Sequence, residues 1–248
     1  MWSREELKSR AKVAFKRNYW KCVLVAFILG IFAGSSAIST PGNLLSDLDN
    51  DEYYEDYDDY YEEDLGNVIG NALGGIILIG IAVVAVFGAV LQVFVGNPLE
   101  VGGCNFFINN TYANANAGEM LSAFKNGCYW KSVSTVFMRN LYIALWSLLL
   151  VVPGIIKSYE YRMVTYLIAE YPNMSREEAF HISKEMMQGQ KMEAWLLDLS
   201  FIGWYLLVTI TCGVAGIFYV APYVQATNAE LYITLRNQYF YSAQNANQ

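Results

Sequence analysis

The sequence predicts an all-α, polytopic membrane protein with about six transmembrane helices, arranged as three hairpins that each follow a cytoplasmic amphipathic helix. Hydrophobic residues make up 55% of the 248 residues and charged residues only 16%, whereas about 25% of a soluble domain is charged. Several apolar stretches approach the roughly 20 residues that a membrane helix needs. Lys and Arg cluster before the first stretch, as is typical of the cytoplasmic side. We expect residues 1–248 to form a single integral membrane domain.

The apolar stretches place the spans. Residues 76–95 supply twenty residues of which only Gln92 is strongly polar, and this length suits one membrane helix. Residues 195–223 are too long for a single span, so we expect a turn at Cys212 and Gly213. The predicted spans are residues 22–37, 71–95, 136–152, 155–169 and two helices within 195–223.

Charge asymmetry decides the orientation. Seven of the 16 basic residues precede the first span, so we expect the N-terminus in the cytoplasm. Residues 155–169 are short and charged, and apolarity alone would leave them at the interface. Without a crossing there, Arg176, Lys184 and Lys191 would be external, which the inside bias of Lys and Arg disfavours. If residues 155–169 cross the membrane, Lys157 lies near an outer turn. The sequence then predicts a multi-pass protein of the bacterial cytoplasmic membrane, with both termini cytoplasmic.

An acidic insert follows the first span. Eleven of the 23 acidic residues lie between Asp47 and Asp64, so the rest of the chain is net positive. We expect residues 43–66 to form an external loop rich in Asp, Glu and Tyr. The loop begins like a calcium-binding EF-hand, but Glu52 stands where that motif requires Gly. A solvated loop is favoured over loose cation binding, and we expect no metal and no other cofactor.

A short motif recurs before the spans. Asn18-Tyr-Trp-Lys21 returns as Cys128-Tyr-Trp-Lys131, and Ser3-Arg-Glu-Glu6 returns as Ser175-Arg-Glu-Glu178. Both Ser-Arg-Glu-Glu strings are capping boxes, which begin helices. Three repeated units are one interpretation; the other is that similar membrane-entry chemistry was used three times without shared ancestry.

Two cytoplasmic amphipathic helices are predicted, over residues 1–21 and 172–191. The first is basic, with its apolar residues on one face, as in a helix that lies on a membrane surface. A signal peptide is the alternative, but the basic region is longer than one needs. We expect this helix to bind anionic lipid headgroups. The expected lipid contacts are Lys8, Lys12, Lys16, Arg17 and Lys21.

The chain resembles a known family in several motifs. They include Asn18-Tyr-Trp-Lys21, Pro98-Leu-Glu-Val-Gly102, Pro153-Gly-Ile-Ile-Lys157 and Leu199-Ser-Phe-Ile-Gly-Trp204. Together they resemble an uncharacterised integral membrane family of bacteria, mainly Firmicutes, known as domain of unknown function 975. Met192 departs from the aromatic residue of the family, and the acidic insert is also a departure. The resemblance implies a polytopic helical membrane protein and supplies no activity, substrate or catalytic residue.

Two classes of function remain possible for this sequence. His181 is the only histidine and the four cysteines are scattered, so neither a usual metal site nor a catalytic triad is predicted. We expect no enzyme, no catalytic residue and no nucleic acid partner. A non-catalytic membrane scaffold or partner-binding protein is favoured over a transporter or channel component, because ionisable groups inside the spans are few.

Two charges lie inside otherwise apolar spans. Arg139 follows Lys131 by a rise of roughly 12 Å, and Asp198 follows Lys191 by roughly 10 Å, at 1.5 Å per residue. Both spans are predicted to leave the cytoplasmic side, so the two side chains could meet at one depth. We expect Arg139 and Asp198 to pair, since pairing lowers the cost of a charge in a bilayer. The alternative is that each side chain extends separately to the interface.

Overall fold

The computed structural model describes residues 2–37, 63–125 and 127–246. Within these residues every regular element is a helix. The acidic insert predicted over residues 43–66, with its EF-hand-like start, lies outside the described residues up to position 62, and a helix begins at Glu63. The all-helical class predicted from the sequence is therefore confirmed for the described chain.

Six helices occupy the chain up to residue 149. A π-helical turn, Gln92–Gly96, joins the third helix to the fourth, and a 3-10 turn, Ala117–Leu121, precedes the fifth. The helices are α1 (Arg4–Arg17), α2 (Tyr19–Ala37), α3 (Glu63–Leu91), α4 (Asn97–Tyr112), α5 (Ser122–Lys125) and α6 (Tyr129–Leu149).

Six more helices follow. A second π-helical turn, Gly216–Val220, leads into the last helix. The chain turns at Cys212 and Gly213, where both residues adopt positive φ angles of 49° and 89°, and the predicted break is confirmed. The helices are α7 (Val151–Glu160), α8 (Val164–Glu170), α9 (Arg176–Met186), α10 (Lys191–Leu199), α11 (Ile202–Ile210) and α12 (Ala221–Ala246).

Two helical stretches of the described chain are long and apolar enough to cross a membrane. They are Leu73–Tyr112, which runs through α3, the π-helical turn and α4, and Lys191–Ile210, which joins α10 and α11. The apolar part of α2, Tyr19–Phe32, is shorter. Length and composition thus support membrane association through two helices, and the six crossings predicted from the sequence stay a prediction.

The core forms where three helices, α4, α8 and α12, meet. Helix α4 contacts both α8 and α12. Phe106, Leu167 and Tyr232, one from each helix, are fully buried. The ring of Tyr166 stacks on that of Tyr232 with their centroids 5.2 Å apart. Most residues of α4 are buried in this core.

Close backbone approach explains how α4 enters the core. A Cβ atom on Gly102 would lie 1.7 Å from the carbonyl oxygen of Met120, in the 3-10 turn that packs on α4. No side chain fits at this position. Asn116 and Glu119 form a complete capping box at the start of the same turn, so the second unit also begins with a capped helical segment, although a short one.

The amphipathic helices bury their apolar faces in protein. Helix α1 packs on α12, and α9 packs on α8. In α1 the buried residues lie 4, 8, 11 and 12 positions after the capping Ser3, and in α9 residues at these same distances from Ser175 are buried. The equivalent buried residues are Leu7, Ala11, Ala14 and Phe15 in α1, and Ala179, Ser183, Met186 and Met187 in the α9 region. This shared pattern supports the third copy of the repeat, and it corrects the expectation that the apolar face of α1 contacts lipid.

Two prolines explain the tyrosine of the repeated motif. Proline has no N–H, so in the α-helical pattern the carbonyl four residues before it loses its donor. These carbonyls belong to Phe94, four residues before Pro98, and to Phe218, four residues before Pro222. The hydroxyl of Tyr129 donates to the Phe94 oxygen at 2.7 Å, and that of Tyr19 donates to the Phe218 oxygen at 3.0 Å. The motif therefore satisfies the backbone of two equivalent π-helical turns.

Candidate functional site: charge pairs at the hairpin roots

A cluster around Arg139 joins three helices. Nη1 of Arg139 on α6 donates to Oε1 of Glu100 on α4 at 2.8 Å, and Nη2 donates to Oε2 at 3.2 Å. Arg139 also donates to the hydroxyl of Thr165 on α8. A fork of two hydrogen bonds is the strong geometry for an Arg and carboxylate pair, so this cluster fixes α6 against the core.

A second cluster surrounds Asp198 on α10. Nη1 and Nη2 of Arg162 donate to its two carboxylate oxygens at 2.7 and 2.8 Å, and the hydroxyl of Tyr159 donates to Oδ2 at 2.8 Å. Arg162 also donates to Oδ1 of Asn228 on α12 at 2.8 Å. The Asp198 side chain remains 39% exposed, so this carboxylate is the most accessible member of the cluster.

The predicted pair of Arg139 with Asp198 is not formed. Each charge has its own partner: Arg139 pairs with Glu100 on α4, and Asp198 pairs with Arg162 in the turn between α7 and α8. The expected pair considered only the two charges inside predicted spans. Glu100 lies between two of those spans, and the helix after the π-helical turn brings its carboxylate beside α6.

A third cluster places one carboxylate between two lysines. Glu160 accepts a hydrogen bond from Lys157 at 2.6 Å and another from Lys191 at 2.5 Å. The carbonyl of Glu160 accepts from the hydroxyl of Ser183 at 2.7 Å. Lys157 and Lys191 are therefore close neighbours, although the expected topology placed Lys157 near an outer turn and Lys191 on the cytoplasmic side.

Two further clusters hold α12 in place. Glu170 accepts from the hydroxyl of Tyr232 at 2.5 Å and pairs with Arg236, which also donates to the hydroxyl of Tyr112 at 2.8 Å. Burial raises the pKa of Tyr232, and its hydrogen bond to Glu170 adds to this rise. Glu230, also on α12, accepts a hydrogen bond from Arg10 of α1 at 2.5 Å.

The five cations expected to contact lipid fall into two groups. Arg17 donates to the carbonyls of residues 110, 111 and 113, and Lys21 donates to the carbonyl of Ala115 at 3.2 Å. Lys8 donates to the carbonyl of Ser200 and lies 4.2 Å from the ring centre of Phe201; burial, then the charge of Arg4, lower its pKa. Lys12 and Lys16 are exposed on the outer face of α1. Three of the five therefore contact protein.

The remaining chemistry is sparse within residues 2–37, 63–125 and 127–246. They contain no group of three or more His, Cys, Asp or Glu residues that could hold a metal ion. His181 is exposed, with Nδ1 3.3 Å from Glu185. Cys22 and Cys104 are buried free thiols, whereas Cys212 is an exposed one.

Sequence reasoning missed Glu100 and Arg162, the two partners that complete the clusters. A signal was available for Glu100, because it is the first charge after 35 uncharged residues and lies two positions after Pro98. No comparable signal marks Arg162, which pairs with a residue 36 positions away.

The fold and the clusters define a class of protein: its described residues are all-helical, include two apolar stretches long enough to cross a membrane, and pair their charges across helix contacts. Residues 148–239 match the family described as "Protein of unknown function (DUF975)". This segment runs from the tip of the α6–α7 hairpin to α12, and the family resemblance expected from the sequence is confirmed there. No curated protein and no solved structure matches the chain.

Proposed function

We propose that this protein is a non-catalytic scaffold of the bacterial cytoplasmic membrane, a multi-pass protein with both termini in the cytoplasm that binds a protein partner. The pairing of the embedded charges carries this proposal. Arg139 bonds a carboxylate on α4, Arg162 bonds one on α10, and Lys157 shares Glu160 of α7 with Lys191 of α10. Charges used in this way hold helices together and are not directed at a solute.

Exposed apolar surface supports the membrane location. Helix α3 is exposed along its apolar length, and the tip of the α6–α7 hairpin exposes Leu148, Leu149 and Val152. A soluble monomer rarely exposes continuous apolar patches larger than a few hundred Å². Acyl chains would cover these surfaces.

A transporter or channel component is the second candidate, and one observation favours it. Asp198 is 39% exposed although it is paired, and an accessible intramembrane carboxylate is typical of ion and proton pathways. Under this alternative, Asp198 would exchange its bond to Arg162 for a cation during transport.

Two measurements on the full-length protein distinguish the candidates. In-cell crosslinking and affinity capture from native membranes should yield a discrete crosslinked partner, and proteoliposomes should show no ion flux above protein-free vesicles. Asp198→Asn is the informative variant, with Glu193→Gln on the same helix as its control. A flux that Asp198→Asn abolishes and Glu193→Gln preserves would replace the scaffold proposal with the transporter.

A further inference from the structure

The α6–α7 hairpin, Tyr129–Glu160, is short for a structure that crosses a membrane twice. Its charge-free part extends from residue 140 to residue 156, and the chain reverses at Leu150. At 1.5 Å per residue, the tip is roughly 16 Å along the helix from Arg139 and roughly 10 Å from Lys157. A hydrocarbon core is about 30 Å thick. Each charge-free arm covers about half of it or less.

The lysine pair on Glu160 restricts the hairpin further. Lys157 and Lys191 both bond this carboxylate, so they lie on the same side of the membrane. Lys191 is the first residue of α10 and lies on the side where positive charges accumulate, which is the cytoplasm in the proposed orientation. Lys157 is then cytoplasmic too, and a tip only seven residues away cannot lie beyond the far headgroups.

The tip itself suits a hydrocarbon environment. Leu148 is 87% exposed, and its neighbours Leu149 and Val151 are also exposed. The N–H of Leu150 donates to the carbonyl of Trp146 at 3.0 Å, and the N–H of Gly154 donates to the carbonyl of Leu150 at 3.2 Å. Pro153 contributes no N–H. Few donors are thus left unpaired, which is what a turn inside lipid requires.

The two arms touch near the tip. A Cβ atom on Gly154 would lie 2.2 Å from Oγ of Ser147 and 2.7 Å from its Cα. The Ser147 hydroxyl donates to the carbonyl of Ile143 within its own helix. Direct helix contact over a small residue is typical of packing inside membranes, and it leaves no room for water between the arms.

We propose that the α6–α7 hairpin is re-entrant: it enters the bilayer from the cytoplasmic side, turns at Leu150 near the midplane and returns to the same side, with acyl chains covering its tip. This inference rests on the proposed membrane location. Residues 136–152 and 155–169 then do not cross, so the six expected crossings become four. Arg176, Lys184 and Lys191 remain cytoplasmic, because two crossings are lost together.

The test places a probe at the tip. In a Cys128→Ser, Cys212→Ser background, Leu149→Cys is labelled with bimane in detergent and reconstituted into vesicles with spin labels at the headgroup or deep in the acyl chain. The deep spin label should quench the bimane most strongly. In cells, Leu149→Cys should resist a membrane-impermeant maleimide from both faces, whereas Asn50→Cys reacts from outside and Lys184→Cys from the cytoplasmic face.

The outcomes separate this proposal from the membrane location. Labelling of Leu149→Cys from outside, together with strongest quenching by the headgroup spin label, would show a complete crossing and overturn the re-entrant hairpin while leaving the membrane protein intact. Quenching by aqueous iodide but not by either spin-labelled lipid, with release of the protein by alkaline carbonate, would overturn the membrane location itself.

Discussion

At each of two prolines, one tyrosine hydroxyl supplies the hydrogen bond that the proline cannot donate to the backbone carbonyl four residues before it. Tyr129 and Tyr19 each donate to a carbonyl that a proline leaves without its helical donor. The two lost bonds lie in the π-helical turns, and an unpaired carbonyl there would cost free energy. The tyrosines of the repeated motif therefore act through their oxygen atoms as well as through their rings.

Removing either hydroxyl should destabilise the protein. Tyr129→Phe and Tyr19→Phe keep the ring but lose the donor, at a cost of about 1 kcal/mol. We expect each variant to lower the melting temperature in detergent by roughly 2–4 °C. Tyr142→Phe is the matched control, because its ring packs on Tyr161 and Phe180 while its hydroxyl has no hydrogen-bond partner among the described residues. Equal losses in all three variants would show that the hydrogen bonds to the carbonyls of Phe94 and Phe218 do not account for the loss.

Pairs of charges decide how the helices are joined. Arg139 links α6 to α4 and α8, whereas Asp198 links α10 to α7. The pairs are neither fully buried nor fully exposed, with 15% of the Arg139 side chain and 34% of the Glu100 side chain accessible. Their energetic value therefore lies between that of surface and buried pairs.

Double-mutant cycles should locate the coupling. Arg139→Leu and Glu100→Gln are expected to lose about 1–3 kcal/mol each, and the double variant should lose less than their sum, as should Arg162→Leu with Asp198→Asn. Arg139→Leu with Asp198→Asn should be additive within about 0.5 kcal/mol, measured by melting in detergent. A coupling between Arg139 and Asp198 would instead restore the pair predicted from the sequence.

The charges on the outer face of helix α1 are the groups that we expect to contact lipid. Its apolar face is buried against α12, and Lys12 and Lys16 point away from the protein. Because a Lys or Arg near an anionic surface contributes about 1 kcal/mol, we expect Lys12→Gln with Lys16→Gln to reduce phosphatidylglycerol copurifying with the protein. Lys184→Gln on α9 is the control, since it removes one exposed charge elsewhere. Unchanged lipid content in the double variant would mean that α1 does not contact headgroups.

The whole molecule should have its acidic insert outside and its termini inside. Asn50→Cys, in the Cys128→Ser, Cys212→Ser background, should react with an impermeant maleimide in intact cells, and Lys184→Cys should react only after the membrane is opened. Lys184 is the appropriate cytoplasmic probe because it is exposed, whereas the neighbouring Ser183 is fully buried. Labelling of position 184 from outside would reverse the proposed orientation.

Sequence by itself determined the local features of this protein. The all-helical class, the helix starts at Ser3 and Ser175 and the turn at Cys212 and Gly213 all agree with the structure. These features depend on hydrogen bonds and φ angles within a few residues, so the neighbouring residues specify them.

Only the tertiary structure decided which groups meet. Arg139 bonds Glu100 across 39 residues, Lys191 bonds Glu160 across 31, and the apolar face of α1 packs on α12 more than 200 residues away. An amphipathic face shows that burial is needed but does not say whether lipid or protein supplies it. Likewise a charge in an apolar helix requires a partner. The identity of that partner depends on how the helices pack, and the hydropathy of the sequence gives no information about that packing.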